Sequence, residues 1–295
     1  MFSPAECPAT QELNDYQWNP ANRPAAEEEM TNSRVIAVTG AASGIGAAAA
    51  RLLKEDGETV IGIDITEPAA GSVDQFVSMN QSDPVSIDAA VAALPDGLDG
   101  LMNIAGVAPS SKSPPAMVLK TNFYGLRVFT RKLLGKISKG GAIVNMSSGA
   151  GMGWPQNIPL LREALAIDDW DSIDKFVTRH QIHNDGIGNQ AAYPLSKQLL
   201  IVWTATAYPI WKETGVRMNA VAPGAVTTPI LDDFLKAFGE ESADRMRAIG
   251  ASSAEDIAKI ARLLLDPTYE WINGTTIPAE RGAITYGGIS KMGLS

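Results

Sequence analysis

Short apolar, β-branched runs recur along the chain, each followed by a longer segment with helical spacing of its apolar residues. The first four are "RVIAVTG" (34–40), "TVIGIDI" (59–65), "LDGLMNIAG" (98–106) and "GAIVNMSS" (141–148). Strands that alternate with helices in this way predict an α/β fold built on a doubly wound parallel sheet. "VRMNAVAPG" (216–224) reads as a further buried strand, and "WINGTTIPAERG" (271–282) carries a last short strand near the edge. One stretch breaks the rhythm: about 40 residues, 151–190, separate a strand end from the next helix, which is long for a plain connection. Within it Leu160, Leu161, Leu165, Ile173, Phe176 and Val177 fall at roughly helical spacing, with Asp168 and Asp169 marking a break and a new N-cap. Two inserted helices are expected here, covering a cleft as a lid.

Residues 1–33 differ in character, being rich in Pro, Glu, Asn and Ala with few apolar residues, and predict a tail, poorly ordered or docked through Tyr16 and Trp18. Residues 34–295 then form a single domain. At 295 residues and 45% hydrophobic, the chain can bury a large core. Its formal net charge of -9 would repel a polyphosphate backbone, so nucleic acid is not expected as a partner. The single cysteine, Cys7, allows no internal disulfide and no thiolate metal site. No apolar run reaches the roughly 18 residues of a membrane span, and a cytoplasmic protein is expected.

Chemistry enters with "VIAVTGAASGIGAAAARLL" (35–53), where Gly40, Gly44 and Gly46 lie between a strand and an alanine-rich helix. A pyrophosphate needs such a tight turn, with backbone close to the phosphates and free helix N–H groups facing their charge. Asp64 ends the second strand at close to the roughly 20-residue offset of a carboxylate that accepts from a ribose hydroxyl. That acid favours NAD, because a 2′-phosphate would meet like charge and no Arg or Lys lies in the turn to compensate.

With "TGAASGIG" (39–46), "NIAG" (103–106), Asn122 in "KTNFYG", "NMSS" (145–148), Tyr193 with Lys197, and "APG" (222–224) all in order, the chain resembles the short-chain dehydrogenase/reductase family from about Arg34 to Gly282. Within it the chain looks most like the subgroup of 3α-hydroxysteroid dehydrogenase/carbonyl reductase and coniferyl-alcohol dehydrogenases. The resemblance implies a Rossmann-type sheet, an NAD cofactor, a hydrophobic alcohol or ketone/aldehyde substrate, and a homodimer or homotetramer. It implies catalytic roles for Asn122, Ser148, Tyr193 and Lys197. It further implies cofactor contacts from Gly40, Ser43, Gly44, Ile45, Gly46, Asn103, Ala105, Gly106, Tyr193, Lys197, Pro223, Gly224 and Val226. Asp64 and the adjoining Ile65 would hold the adenosine, and Thr228 would lie near the nicotinamide amide. Two departures stand out: Asn80 in "SMNQSD" occupies the place of an adenine-contacting Asp, and "AERG" (279–282) replaces the family's "DGG", which supports subunit contacts in related enzymes.

These residue types suit hydride transfer. A phenol of pKa about 10 is a weak base near neutrality, and an ammonium one helical turn away, Lys197, would lower the Tyr193 value. Ser148 would hold the substrate oxygen against Tyr193, and Asn122 would hold a water linking Lys197 to solvent. A protein that keeps the glycine turn only to sense a dinucleotide is the alternative of another class, and it would not need this acid/base set. No metal is expected, since His180 and His183 lack a third ligand. Trp154, just after the catalytic strand, is a candidate wall for a flat aromatic substrate; Trp203 and Trp211 are expected to pack in the core.

Overall fold

β1 (Val35–Thr39) pairs with a parallel neighbour on each side, and its side chains alternate between two helical layers. Ile36 and Val38 enter one core cluster and Ala37 the other. The computed structural model describes residues 33–110, 112–186, 188–239, 244 and 248–294, so the tail expected over 1–33, with Tyr16 and Trp18, lies outside the described residues apart from Ser33. Arg34–Ser295 form one compact unit.

After β1 come α1 (Gly44–Glu55), β2 (Thr59–Asp64), β3 (Gln75–Ser78), α2 (Pro84–Ala93) and β4 (Leu98–Asn103). α3 (Pro115–Leu119) runs through a π-helical turn (Lys120–Gly125) into α4 (Leu126–Leu133), and β5 (Ile137–Met146) follows. Next are α5 (Ile158–Leu165), α6 (Trp170–Arg179), α7 (Ala192–Ala205), α8 (Tyr208–Thr214) and β6 (Arg217–Pro223). The chain continues through β7 (Val226–Thr227), α9 (Leu231–Phe238), β8 (Ser252–Ser253), α10 (Ala254–Leu265), β9 (Thr276–Ala279) and α11 (Ala283–Lys291). Seven strands form one parallel sheet in the order β3-β2-β1-β4-β5-β6-β9. The expected last strand, β9, is at the edge. The order reverses between β1 and β4, where a crevice opens beyond the carboxyl ends of the strands.

One face of the sheet is covered by α1 and α10, through Ala49, Ala50, Leu53, Ile257, Ala261 and Leu264. The small side chains of the "AAAA" run are what let α1 approach closely: Ala49 and Ala50 are almost wholly buried. The other face carries Phe123, Phe129, Leu195 and Leu199 against Ala37, Leu101, Ile143 and Met218.

Both inserted helices form, and Asp169 caps α6 by accepting from the Ser172 N–H at 2.8 Å. Their position corrects the expected lid. Leu161, Ala164, Ile173 and Phe176 are buried in the main core, with α5 packed against α7 and α6 against α3. An amphipathic insert this apolar gains more by covering the flank of α7 than by standing over an open cleft. Its turn is clamped by Arg127, only 3% exposed, whose guanidinium donates to Leu165 O at 2.9 Å and also to Ile167 O and the Asp168 carboxylate. Tyr124 adds a bond from its hydroxyl to Ala164 O at 3.0 Å. Arg127→Met removes charge-assisted donors from part-buried carbonyls and is expected to cost about 2–4 kcal/mol of stability, read as a lower urea midpoint.

Candidate active site

The turn between β1 and α1 is built on its glycines. Gly40 and Gly44 adopt φ of 73° and 54°, where side chains are strained. A Cβ on Gly46 would lie 2.0 Å from Gly40 O, so even alanine is excluded. Ser43 precedes α1 in extended conformation and makes no side-chain cap, which leaves the first N–H groups of the helix facing the crevice. The hydroxyl of Thr39 accepts from Ile104 N at 2.9 Å and Ala105 N at 3.0 Å, tying "NIAG" to the glycine turn. Thr39 was not singled out from the sequence, although its place at a strand end before the turn was the available signal.

Asp64 reaches back to the same turn, its carboxylate accepting from Ala42 N at 3.0 Å and Thr66 N at 3.1 Å. Those bonds fix the carboxylate at the edge of the crevice with lone pairs to spare. Ile65 beside it is 72% exposed and offers an apolar surface. Asn80 spends its Oδ1 on Ser82, accepting from the backbone N–H at 3.1 Å and the hydroxyl at 2.8 Å, so its NH₂ is what remains for a ligand. Gln81, also unforeseen, lies at the crevice with its Nε2 donating to Thr121 O at 2.7 Å and its buried Oε1 unpartnered.

These residues line a single cleft of about 1290 Å³. That exceeds the roughly 300–1,000 Å³ of a drug-sized site and has room for a dinucleotide and a substrate together. Gly40, Ser43, Gly44, Ile45, Gly46, Asp64, Ile65, Asn80, Ala105, Gly106, Ser148, Tyr193, Lys197, Pro223, Gly224, Val226 and Thr228 all lie on it. Asn103 and Asn122 do not line it. Asn103 points into the sheet's core, donating to Thr130 Oγ1 and Asn145 Oδ1 at 2.9 Å each, while Asn145 donates onward to Thr204 at 3.0 Å. This buried chain of amides and hydroxyls joins α4, β4, β5 and α7 and engages the Asn103 NH₂, while its buried Oδ1 has no hydrogen-bond partner. Asn122 sits in the π-helical turn with both polar atoms engaged by Val107, accepting from its N–H at 2.8 Å and donating to its carbonyl at 3.0 Å. These bonds tie it to the 106–107 loop.

Ser148, Tyr193 and Lys197 meet at the end of β5. Lys197 Nζ donates to Met146 O at 2.8 Å, and Ser147 Oγ donates back to Lys197 O at 3.0 Å. The ammonium lies 5.6 Å from the centre of the Tyr193 ring. Burial pushes the Lys197 pKa down to about 8. It pushes the Tyr193 phenol up to about 12, opposed by a hydrogen bond with Ser148. In the free protein the expected lowering of the phenol is not found: desolvation of the phenolate outweighs the hydrogen bond with Ser148. Pro194 falls in the first turn of α7, where its missing N–H has no intrahelical partner.

Apolar side chains wall the cleft beside Tyr193. Phe234 and Phe238 of α9 stand 4.6 and 6.0 Å from the Tyr193 ring, centre to centre, and line the cleft. Trp154 does not: it is partly buried against the main core, because the 3-10 turn it begins directs Pro155 and Gln156 to the cleft instead. Trp203 packs edge-on against Phe123 and Trp211 beside Tyr208. His180 pairs with Glu163 at 2.7 Å, and among the described residues no three His, Cys, Asp or Glu side chains converge as a metal site.

The glycine turn, the acid at the end of β2 and the reversal of strand order are together the build of a dinucleotide-dependent oxidoreductase. Comparison with known proteins narrows the class. Residues 34–159 match the family model described as short chain dehydrogenase, and residues 176–283 match one described as Enoyl-(Acyl carrier protein) reductase. The coniferyl-alcohol dehydrogenase of Pseudomonas sp. (strain HR199) is 37% identical over 262 residues, covering 88% of this chain and 99% of that protein. The 3-alpha-hydroxysteroid dehydrogenase/carbonyl reductase of Comamonas testosteroni is 28% identical, over 84% of this chain and 95% of its own. Among solved structures, the 3-alpha-hydroxysteroid dehydrogenase from Pseudomonas sp. B-0831 complexed with NADH matches with a TM-score of 0.72 at 30% identity, covering 86% of this chain and 98% of that one. The chain belongs to the short-chain dehydrogenase/reductase family of oxidoreductases, which uses NAD(H).

The depressed Lys197 pKa has a consequence for stability. Between about pH 8 and 10 the unfolded chain binds this proton and the folded chain does not, so stability should rise with pH there. Above about pH 10 the raised Tyr193 value works in the opposite sense. Urea unfolding at pH 7.5, 8.5 and 9.5 should show the rise in the native protein and a shallower dependence in Lys197→Met.

Proposed function

We propose that this protein is an NAD-dependent alcohol dehydrogenase that exchanges hydride between the nicotinamide and a hydrophobic, aromatic or allylic, alcohol/carbonyl pair. The observation that carries the reading is the convergence of Ser148, Tyr193 and Lys197 on the cleft that also holds the glycine turn. The fit of the cofactor is supported by Gly46, where any side chain would collide with the Gly40 carbonyl and spoil the turn, and by the fixed carboxylate of Asp64. Bound there, NAD supplies the hydride acceptor. Tyr193 takes the hydroxyl proton as the carbon–hydrogen bond of the alcohol breaks, and returns it when a carbonyl is reduced. Ser148 donates to the substrate oxygen and steadies the charge that develops on it. Lys197 supplies positive charge beside the phenolate, and Asn122 positions the loop against which Lys197 packs: a Cβ on Gly106 would lie 3.1 Å from Asn122 Oδ1 and 3.7 Å from Lys197 Nζ.

Asp64 accepts from the adenosine ribose and repels a 2′-phosphate. Phe234 and Phe238 beside Tyr193 favour a flat, apolar substrate. Of the two substrate classes, a coniferyl-type alcohol is favoured over a 3α-hydroxysteroid by the greater identity to the coniferyl-alcohol relative. A homodimer or homotetramer is supported by exposed Trp271, Tyr286 and Leu294, apolar side chains suited to contact between copies. A cytoplasmic setting is supported by the single cysteine, and among the described residues no helix is long and apolar enough to cross a membrane.

Tyr193→Phe should reduce turnover by at least a hundredfold while leaving the NADH dissociation constant within about twofold; an unaltered rate would overturn the assignment. Initial rates should favour NAD over NADP at least tenfold, and equal rates at matched concentrations would remove the role given to Asp64. Rates on coniferyl alcohol beside a 3α-hydroxysteroid should favour the former, and activity confined to the steroid would reverse the choice of substrate class.

A further inference from the structure

The cleft has a wall at the C-terminus that the rest of the site does not require. β9 ends at Ala279, and Arg281 and Gly282 follow with φ of 57° and 80°, turning the chain back on itself. Glu280, only 8% exposed, fixes the turn by accepting from Ile284 N at 2.8 Å and from the hydroxyl of Thr285 at 2.9 Å. α11 is thereby laid along the cleft, presenting Ile284, Ile289 and Met292 to it. Ile284 reaches the backbone beside Ser148: its Cδ1 lies 2.2 Å from where a Gly149 Cβ would stand. Yet 38% of Ile284 remains exposed, an apolar surface left facing the cleft next to the reacting groups.

We propose that Ile284 is a specificity-determining residue that packs against the apolar body of the substrate, and that Glu280 is the positioning residue that holds it there. The inference rests on the alcohol-dehydrogenase reading and deepens it. "AERG" in place of the family's "DGG" then has a local role: the carboxylate of Glu280 caps a helix whose Gly287 and Gly288 give it little intrinsic stability. Without that cap α11 frays, and Ile284 leaves the wall.

Cinnamyl and crotyl alcohol share the allylic alcohol group and differ in a ring where the other has a methyl, so they separate the wall from the chemistry. Their binding to the NADH-loaded full-length protein is measured by calorimetry, which needs no turnover. The native protein should bind cinnamyl alcohol more tightly. Ile284→Ala should weaken cinnamyl alcohol about five- to tenfold, with crotyl alcohol and NADH within about twofold of native. Glu280→Ala should act in the same direction, and Glu280→Gln, which keeps an acceptor for Ile284 N, should retain most of the affinity. Cinnamyl affinity unchanged in Ile284→Ala, a parallel loss of NADH affinity, or no binding of cinnamyl alcohol to the native protein would each overturn the proposal. Binding through Ile284 without oxidation of the alcohol would instead sink the catalytic reading and leave the wall standing.

Discussion

Two opposed hydrogen bonds hold α7 to the end of β5, and the rest of the site is arranged around them. Lys197 Nζ donates to the carbonyl of Met146 while the hydroxyl of Ser147 donates to the carbonyl of Lys197. Packing there is tight enough that a Cβ on Gly151 would stand 2.8 Å from the Lys197 backbone. Ser148 is the next residue along from Ser147 and Tyr193 is one helical turn before Lys197, so the clamp sets their separation. The buried amide chain from Asn103 through Asn145 to Thr204 ties the same helix to the middle of the sheet. A few tenths of an ångström matter for proton transfer, and that precision comes from rigid elements rather than loops.

The clamp has an energetic cost. It buries an ammonium with one carbonyl for a partner, and it places a phenol where its anion is poorly solvated. Neither group is tuned for chemistry by the other alone. The positive ring of an oxidised nicotinamide is the further charge that would draw the phenol down, which couples proton abstraction to the presence of the cofactor. Stability sacrificed at Lys197 is consistent with a site shaped for reaction rather than for holding the fold.

Much of this was legible in the sequence because it rests on local pattern. The apolar runs gave the strands, Gly40 to Gly46 the phosphate turn, and Asp169 the start of α6. What the pattern did not give depends on tertiary competition. The insert is amphipathic, but periodicity does not say which surface it covers, and the flank of α7 together with Arg127 wins over the cleft. Trp154 carries suitable chemistry near the site, yet the 3-10 turn directs it elsewhere, and the side-chain NH₂ of Asn103 is drawn into the amide chain. α11 was missed because "AITYGGISK" has two adjacent glycines and no strong helix signal; a cap from Glu280 makes it. Phe234 and Phe238 lie one helical turn apart on α9, and the fold brings both to Tyr193.

Burial is expected to hold the Tyr193 phenol neutral until cofactor charge completes the site. This is tested most directly by the ultraviolet absorbance of tyrosinate, taken as the difference between the native protein and Tyr193→Phe across a pH titration, with and without NAD. With the pKa of the phenol at about 12, no Tyr193 signal should appear in the free protein up to about pH 10, and NAD should bring the signal to lower pH. A phenolate already formed near neutrality in the free protein, or a titration that NAD leaves unmoved, would contradict the account.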